Sequence, residues 1–104
     1  MARILVVDDQ PDSLLAARAA LRGAGHDCVL AADGERALEI LSAGGVDAVV
    51  IDPAMPLHDG WPVLAAAGPV PVVVVSNVAS IPGRVEKPFS PADLVAAVRA
   101  ALCG

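Results

Sequence analysis

The sequence predicts an α/β domain, a parallel sheet of short buried strands with helices on both faces. Three observations predict it. The runs Arg3–Val7, Asp47–Ile51 and Pro71–Val75 are apolar, rich in β-branched residues and lack polar alternation, as expected of strands covered on both sides. Segments of helical period stand between them, the pattern that builds strand–helix–strand units. The length, 104 residues of which 56% are hydrophobic, suits one domain with one core. Right-handed crossovers then place helices on both faces of the sheet, giving a three-layer α/β domain over residues 1–104 with no visible linker or repeat.

The first strand, Arg3–Val7, ends at Asp8-Asp9-Gln10-Pro11. A helix follows from Pro11 to Arg22, with Leu14, Ala17 and Leu21 as its stripe and Leu15 and Ala19 beside it. Gly23 and Gly25 stop it. Asp27–Ala31 reads as the second strand, and Gly34–Ala43 as the second helix with Ala37, Leu38 and Leu41 facing inward. Asp47–Ile51 runs into Asp52. The proline-rich stretch 53–69 leaves room for a short helix near Trp61–Ala67. Pro71–Val75 is the fourth strand, 77–83 a loop and Arg84–Lys87 a brief fifth strand. Ser90-Pro91 starts the last helix, with Ser90 as N-cap and Leu94, Val95, Val98 and Leu102 on one face.

Composition excludes several classes. The apolar content is too high for disorder, and the glycines and prolines have no collagen period. No apolar run is long enough to span a bilayer. Asp8-Asp9 comes too early for a signal peptide, so the chain is expected to be cytoplasmic, with no membrane contact. The net charge is −5 and no basic run exists, which argues against direct nucleic-acid binding. Cys28 and Cys103 fit neither a zinc pattern nor a redox pair and read as small hydrophobes. His26 and His58 read as exposed turn residues, Trp61 as packing and Phe89 as an anchor for the loop before the last helix.

In such folds the active crevice lies beyond the carboxyl ends of the strands. Here those ends carry Asp8 and Asp9, Asp52, Ser76 and Lys87, the last being the one lysine in the chain. Each alone has an ordinary explanation, as a helix cap, a turn or a surface charge. Together they put three carboxylates, a hydroxyl and an ammonium on one rim. Clustered carboxylates repel unless a cation sits among them, and an all-oxygen set suits Mg²⁺. A carboxylate can accept a phosphoryl group, while lysine, a hydroxyl and a metal neutralise the transferred charge.

The acidic pair Asp8-Asp9, the run Asp52-Pro53-Ala54-Met55-Pro56, Asp59-Gly60, Ser76 and Lys87-Pro88-Phe89 resemble, in order and over the whole chain, the bacterial response-regulator receiver domain. The resemblance implies a flavodoxin-like sheet in the order 2-1-3-4-5. It implies that Asp52 is the phosphoacceptor, that Asp8, Asp9, Asp52 and the backbone carbonyl of Ala54 hold Mg²⁺, that Lys87 contacts the phosphoryl group and that Ser76 is the switch hydroxyl. The donor would be a phosphohistidine on a sensor histidine kinase or a histidine phosphotransfer protein. The implied role is a stand-alone, cytoplasmic response regulator in two-component phosphorelay signalling. It is not an enzyme beyond its own phosphoryl transfer and hydrolysis, and it acts on an output partner the sequence does not name.

Two departures from the family stand out. Only 77–83 separate Ser76 from Arg84, too few for the family's fourth helix, which is therefore expected to be reduced to a loop. Arg84 occupies the position where the family usually has an aromatic residue. Apolar surface at Val78 or Ile81 would then be open to a partner or a second copy, making a homodimer possible. Two other readings compete: a receiver-like interaction module that no longer switches by phosphate, and a small Mg²⁺-dependent phosphatase with an aspartyl nucleophile. The second is disfavoured because Ala54 stands where its acid–base carboxylate would be. Lys87→Ala is expected to leave the fold largely intact while impairing phosphoryl signalling.

Overall fold

The computed structural model describes residues 2–53, 61–77 and 83–103. In chain order the elements are β1 (Arg3–Val7), α1 (Pro11–Gly23), β2 (Asp27–Ala31), α2 (Gly34–Ala43), β3 (Ala48–Ile51), α3 (Trp61–Ala66), β4 (Val72–Ser76), β5 (Val85–Glu86) and α4 (Pro91–Cys103). All strand pairs are parallel and the sheet order is β2-β1-β3-β4-β5. Among the described residues no helix is long and apolar enough to cross a membrane.

Strand alternation divides the core in two. Ile4, Val6, Ala48, Val50, Val73 and Val75 face Leu14, Ala17 and Leu21 of α1 and Leu94 and Val98 of α4. Leu5, Val7, Val49 and Ile51 face Ala37 and Ile40 of α2 and Val63 of α3. Both faces of β1 and β3 are thus covered, which is why their sequences carry no polar alternation.

Helix ends follow local chemistry. Pro11 opens α1, Asp33 Oδ1 accepts the Arg36 N–H at 2.8 Å, and Ser90 Oγ accepts the Asp93 N–H at 3.1 Å. Past α1 the chain turns through Gly25 at φ +92°, a conformation costly for any residue with a Cβ.

Several sequence expectations are corrected at the residue level. The α1 stripe Leu14, Ala17 and Leu21 is buried as expected, while the residues beside it, Leu15 at 50% and Ala19, are exposed. In α2 the buried side chains are Ala37 and Ile40, with Leu38 and Leu41 half-buried at the margin. His26 is half-buried, because its Nδ1 accepts the Ala2 N–H at 3.2 Å across the β1–β2 edge.

The connection from β4 to β5 is eight residues, 77–84. A parallel crossover normally needs a dozen or more, to travel back along the strand it leaves. Here β5 pairs Val85 with Val75 and Glu86 with Ser76, so the chain re-enters the sheet at the last two residues of β4. The expected loop over 77–83 falls, for residues 78–82, outside the described residues, as do Val78 and Ile81. Among the described residues no helix stands between β4 and β5.

Candidate functional site

The carboxyl ends of β1, β3, β4 and β5 bring Asp8, Asp52, Ser76 and Lys87 to one rim. Parallel register does this: Val7 pairs with Ile51, so the residues that follow, Asp8 and Asp52, emerge side by side. The Asp52 N–H donates to Val7 O at 3.1 Å, and the Asp8 N–H donates to Ala31 O at 3.1 Å. Ser76 is fully buried, and its carbonyl accepts the Lys87 N–H at 3.1 Å, tying the end of β5 to the end of β4. The Lys87–Pro88 peptide bond is cis.

Lys87 Nζ lies 2.6 Å from Asp8 Oδ2 and 2.9 Å from Asp52 Oδ2, and it donates to Gln10 Oε1 at 3.0 Å. An ammonium has three protons, and three oxygens receive them. The arrangement is shielded: the side chains of Lys87 and Asp8 are 8% and 2% exposed. Asp8 is further held by the Gln10 N–H, which donates to its Oδ1 at 3.0 Å. Burial pushes the Asp8 carboxyl above its usual range; the bonds from Lys87 and Gln10 oppose that push without cancelling it. Burial alone would make Lys87 a weaker base, but its bonds to Asp8 and Asp52 outweigh it and hold the ammonium charged.

Asp9, next to the buried Asp8, is exposed. Ala54, Met55, Pro56, Asp59 and Gly60 lie outside the described residues. A hard divalent cation suits the donor set by its chemistry: two carboxylates already share one positive charge, and a third stands at the rim. Among the described residues no three side chains converge on a single metal position. The residue types present, shielded carboxylates at Asp8 and Asp52 and an exposed one at Asp9, are nonetheless the oxygen donors that Mg²⁺ takes.

Two contacts were not legible in the sequence. Gln10, which follows the acidic pair and precedes α1, supplies the third acceptor for Lys87. Its place directly after two rim carboxylates is the one signal that could have found it. Arg84 Nη1 donates to Ser76 O at 3.3 Å, so this residue reaches back to the strand end that carries the hydroxyl. Beside Lys87 lies a pocket of about 220 Å³ lined by Asp12, Ser13, Ala16, Pro88 and Phe89.

Comparison with known proteins agrees with this architecture. The family model of the response regulator receiver domain matches residues 4–99. The chain is 38% identical over 115 residues to the transcriptional regulatory protein PrrA of Mycobacterium tuberculosis, covering 96% of this chain and 49% of that protein. It therefore spans about half the length of that curated relative. It is 33% identical to the receiver domain of the hybrid histidine kinase CckA, with a TM-score of 0.84 over 96% of this chain and 98% of that one. The receiver domain of the sensor histidine kinase PA1611 from Pseudomonas aeruginosa, solved with a magnesium ion coordinated in its active site cleft, is 24% identical. Its TM-score is 0.86 over 99% of this chain and 98% of that one, a likeness of fold.

Proposed function

The chain belongs to the response regulator receiver domain family, and from that premise we propose that Asp52 accepts a phosphoryl group from a phosphohistidine in two-component signalling. The observation that carries this reading is the Lys87 ammonium held between Asp8 and Asp52 at 2.6 and 2.9 Å. An Asp52 carboxylate oxygen forms the new bond to phosphorus while the phosphorus–nitrogen bond of the donor breaks, and the imidazole leaves with the bonding pair. Lys87 neutralises charge gathering on the phosphoryl oxygens. Its proton to Gln10 is the one most readily redirected, because Gln10 is neutral and the other two acceptors are carboxylates. Ser76 stands at the end of the neighbouring strand, where its hydroxyl can bond a phosphoryl oxygen on Asp52.

Mg²⁺, held by Asp8, Asp9, Asp52 and the Ala54 carbonyl, would supply the second positive charge that an incoming dianion needs at this carboxylate cluster. Asp9→Ala then weakens phosphorylation more than Asp12→Ala does. The whole chain acts as one receiver domain, in the cytoplasm, with no separate substrate turned over and no direct contact with nucleic acid or membrane. The pocket between α1 and the Pro88-Phe89 turn borders Lys87 and suits the docking of a sensor kinase or a phosphotransfer protein. Output passes to a partner protein or to a second copy.

The test is intact mass after incubation with acetyl phosphate and Mg²⁺, on the parent and on Asp52→Asn. A single phosphoryl adduct on the parent alone is the expected result. No adduct on either protein would favour the phosphate-independent interaction module, a reading supported by the short 77–84 connection and by Arg84 at the Ser76 carbonyl.

A further inference from the structure

Arg3, Arg18 and Arg22 line one pocket of about 380 Å³ together with Asp27, Cys28 and Val29. It lies at the amino-terminal end of the sheet. Cys28 stands level with Ile4 in the register, four residues below Asp8, or about 13 Å along the strand direction. Three of the seven basic residues of a chain with net charge −5 are therefore gathered far from the acidic rim.

This arrangement is not explained by internal contacts. Among the described residues, none of the three guanidinium groups forms an ion pair or a hydrogen bond within the chain. Arg18 and Arg22 are one turn apart on α1, a like-charge spacing that disfavours a helix. Arg3 adds a third positive charge from β1, opposite Asp27 in the register. Burial raises the pKa of the half-buried Cys28 thiol, and Arg18 and Arg22, which line the same pocket, oppose that rise. Asp27, the one carboxylate in the lining, leaves it net positive.

We propose that this pocket binds a small anion carrying two or more linked phosphoryl groups. Guanidinium forks match phosphate oxygens two at a time, and three of them around one pocket can be shared between two linked phosphoryl groups. The volume falls in the range of small-molecule sites. The site is independent of chemistry at Asp52, since it shares no residue with the rim.

Cys28 reports occupancy, and Cys103, exposed on α4, is the internal standard. The experiment follows alkylation of both thiols by N-ethylmaleimide in magnesium-free buffer, with pyrophosphate as probe and sodium chloride at matched ionic strength as control. At a pyrophosphate concentration about four times its Kd, alkylation of Cys28 slows about fivefold while Cys103 is unchanged. Arg22→Gln, at an exposed position, loses the protection; Asp27→Asn, which removes the opposing carboxylate, strengthens it. Arg22→Gln still forms the Asp52 adduct. Protection by ATP equal to that by pyrophosphate assigns the site to nucleotide phosphate chains, and protection by pyrophosphate alone assigns it to inorganic oligophosphate. Equal slowing of both thiols, the same effect from sodium chloride or orthophosphate, or full protection in folded Arg22→Gln would overturn the proposal.

Discussion

Lys87 donates all three ammonium protons to oxygens of the protein, and that changes what its removal does. From sequence it reads as a rim charge whose loss leaves the fold largely intact. In the structure its side chain is 8% exposed and stands between two carboxylates. Lys87→Ala leaves a buried Asp8 without its cation, so the expected loss is about 1–3 kcal/mol by urea unfolding at neutral pH without Mg²⁺. Gln10→Ala removes only a neutral acceptor and should cost about 1 kcal/mol or less. Asp8 sets a second expectation. Its folded pKa is raised by burial, so its contribution to stability is full below the ordinary value of 3.8 and is lost as pH rises through the folded value. Asp8→Asn removes that term. The stability difference, Asp8→Asn minus parent, should therefore move in favour of the variant as pH rises from 4 to 7 in metal-free buffer, and a flat difference across that range would contradict the burial argument.

At the scale of elements, β5 is two residues long and depends on contacts outside its own ladder. Arg84 and the Lys87 N–H both bond the Ser76 carbonyl, so the strand is pinned at each end to the same atom. Arg84→Ala should accelerate amide hydrogen exchange at Lys87 while leaving the amides of β1 and β3 as protected as before. The start of α4 offers a cleaner energetic test. Ser90→Ala deletes the bond to the Asp93 N–H and should cost about 1 kcal/mol in urea unfolding. Strand identity was legible because β1, β3 and β4 are continuous apolar runs that only a doubly covered sheet can use. The ends were less so: Asp47 and Pro71 lie outside their strands, and Ser76 lies inside one. Backbone pairing with a neighbouring strand decides such positions, and hydrophobic pattern does not encode it.

Over the whole molecule, the sheet separates two apolar layers, and substitutions divide by burial within them. Leu94, fully buried between α4 and the sheet, should lose about 2–5 kcal/mol on Leu94→Ala, whereas Leu15→Ala at a half-exposed position should stay near 0.5 kcal/mol. Helical periodicity located the buried stripe Leu14, Ala17 and Leu21 but did not say how far burial extends to Leu15 beside it. The rim residues were legible for the opposite reason: strand ends in a parallel sheet place whatever follows them, so Asp8, Asp52, Ser76 and Lys87 could be assigned to one edge by counting. Gln10 and Arg84 could not, because a long polar side chain finds its partner only after the elements have packed.

The pairing of α1 with α4 also bears on how the chain is made. Leu14 and Leu21 belong to α1, which is synthesised before α4, the helix that carries Leu94 and Val98. On the ribosome, the stripe of α1 is without this cover until residues beyond Pro91 have emerged, while Ala37, Ile40 and Val63 can already close the opposite face. Packing of α4 completes this layer of the core, and a nascent chain short of that point carries the α1 stripe without that cover.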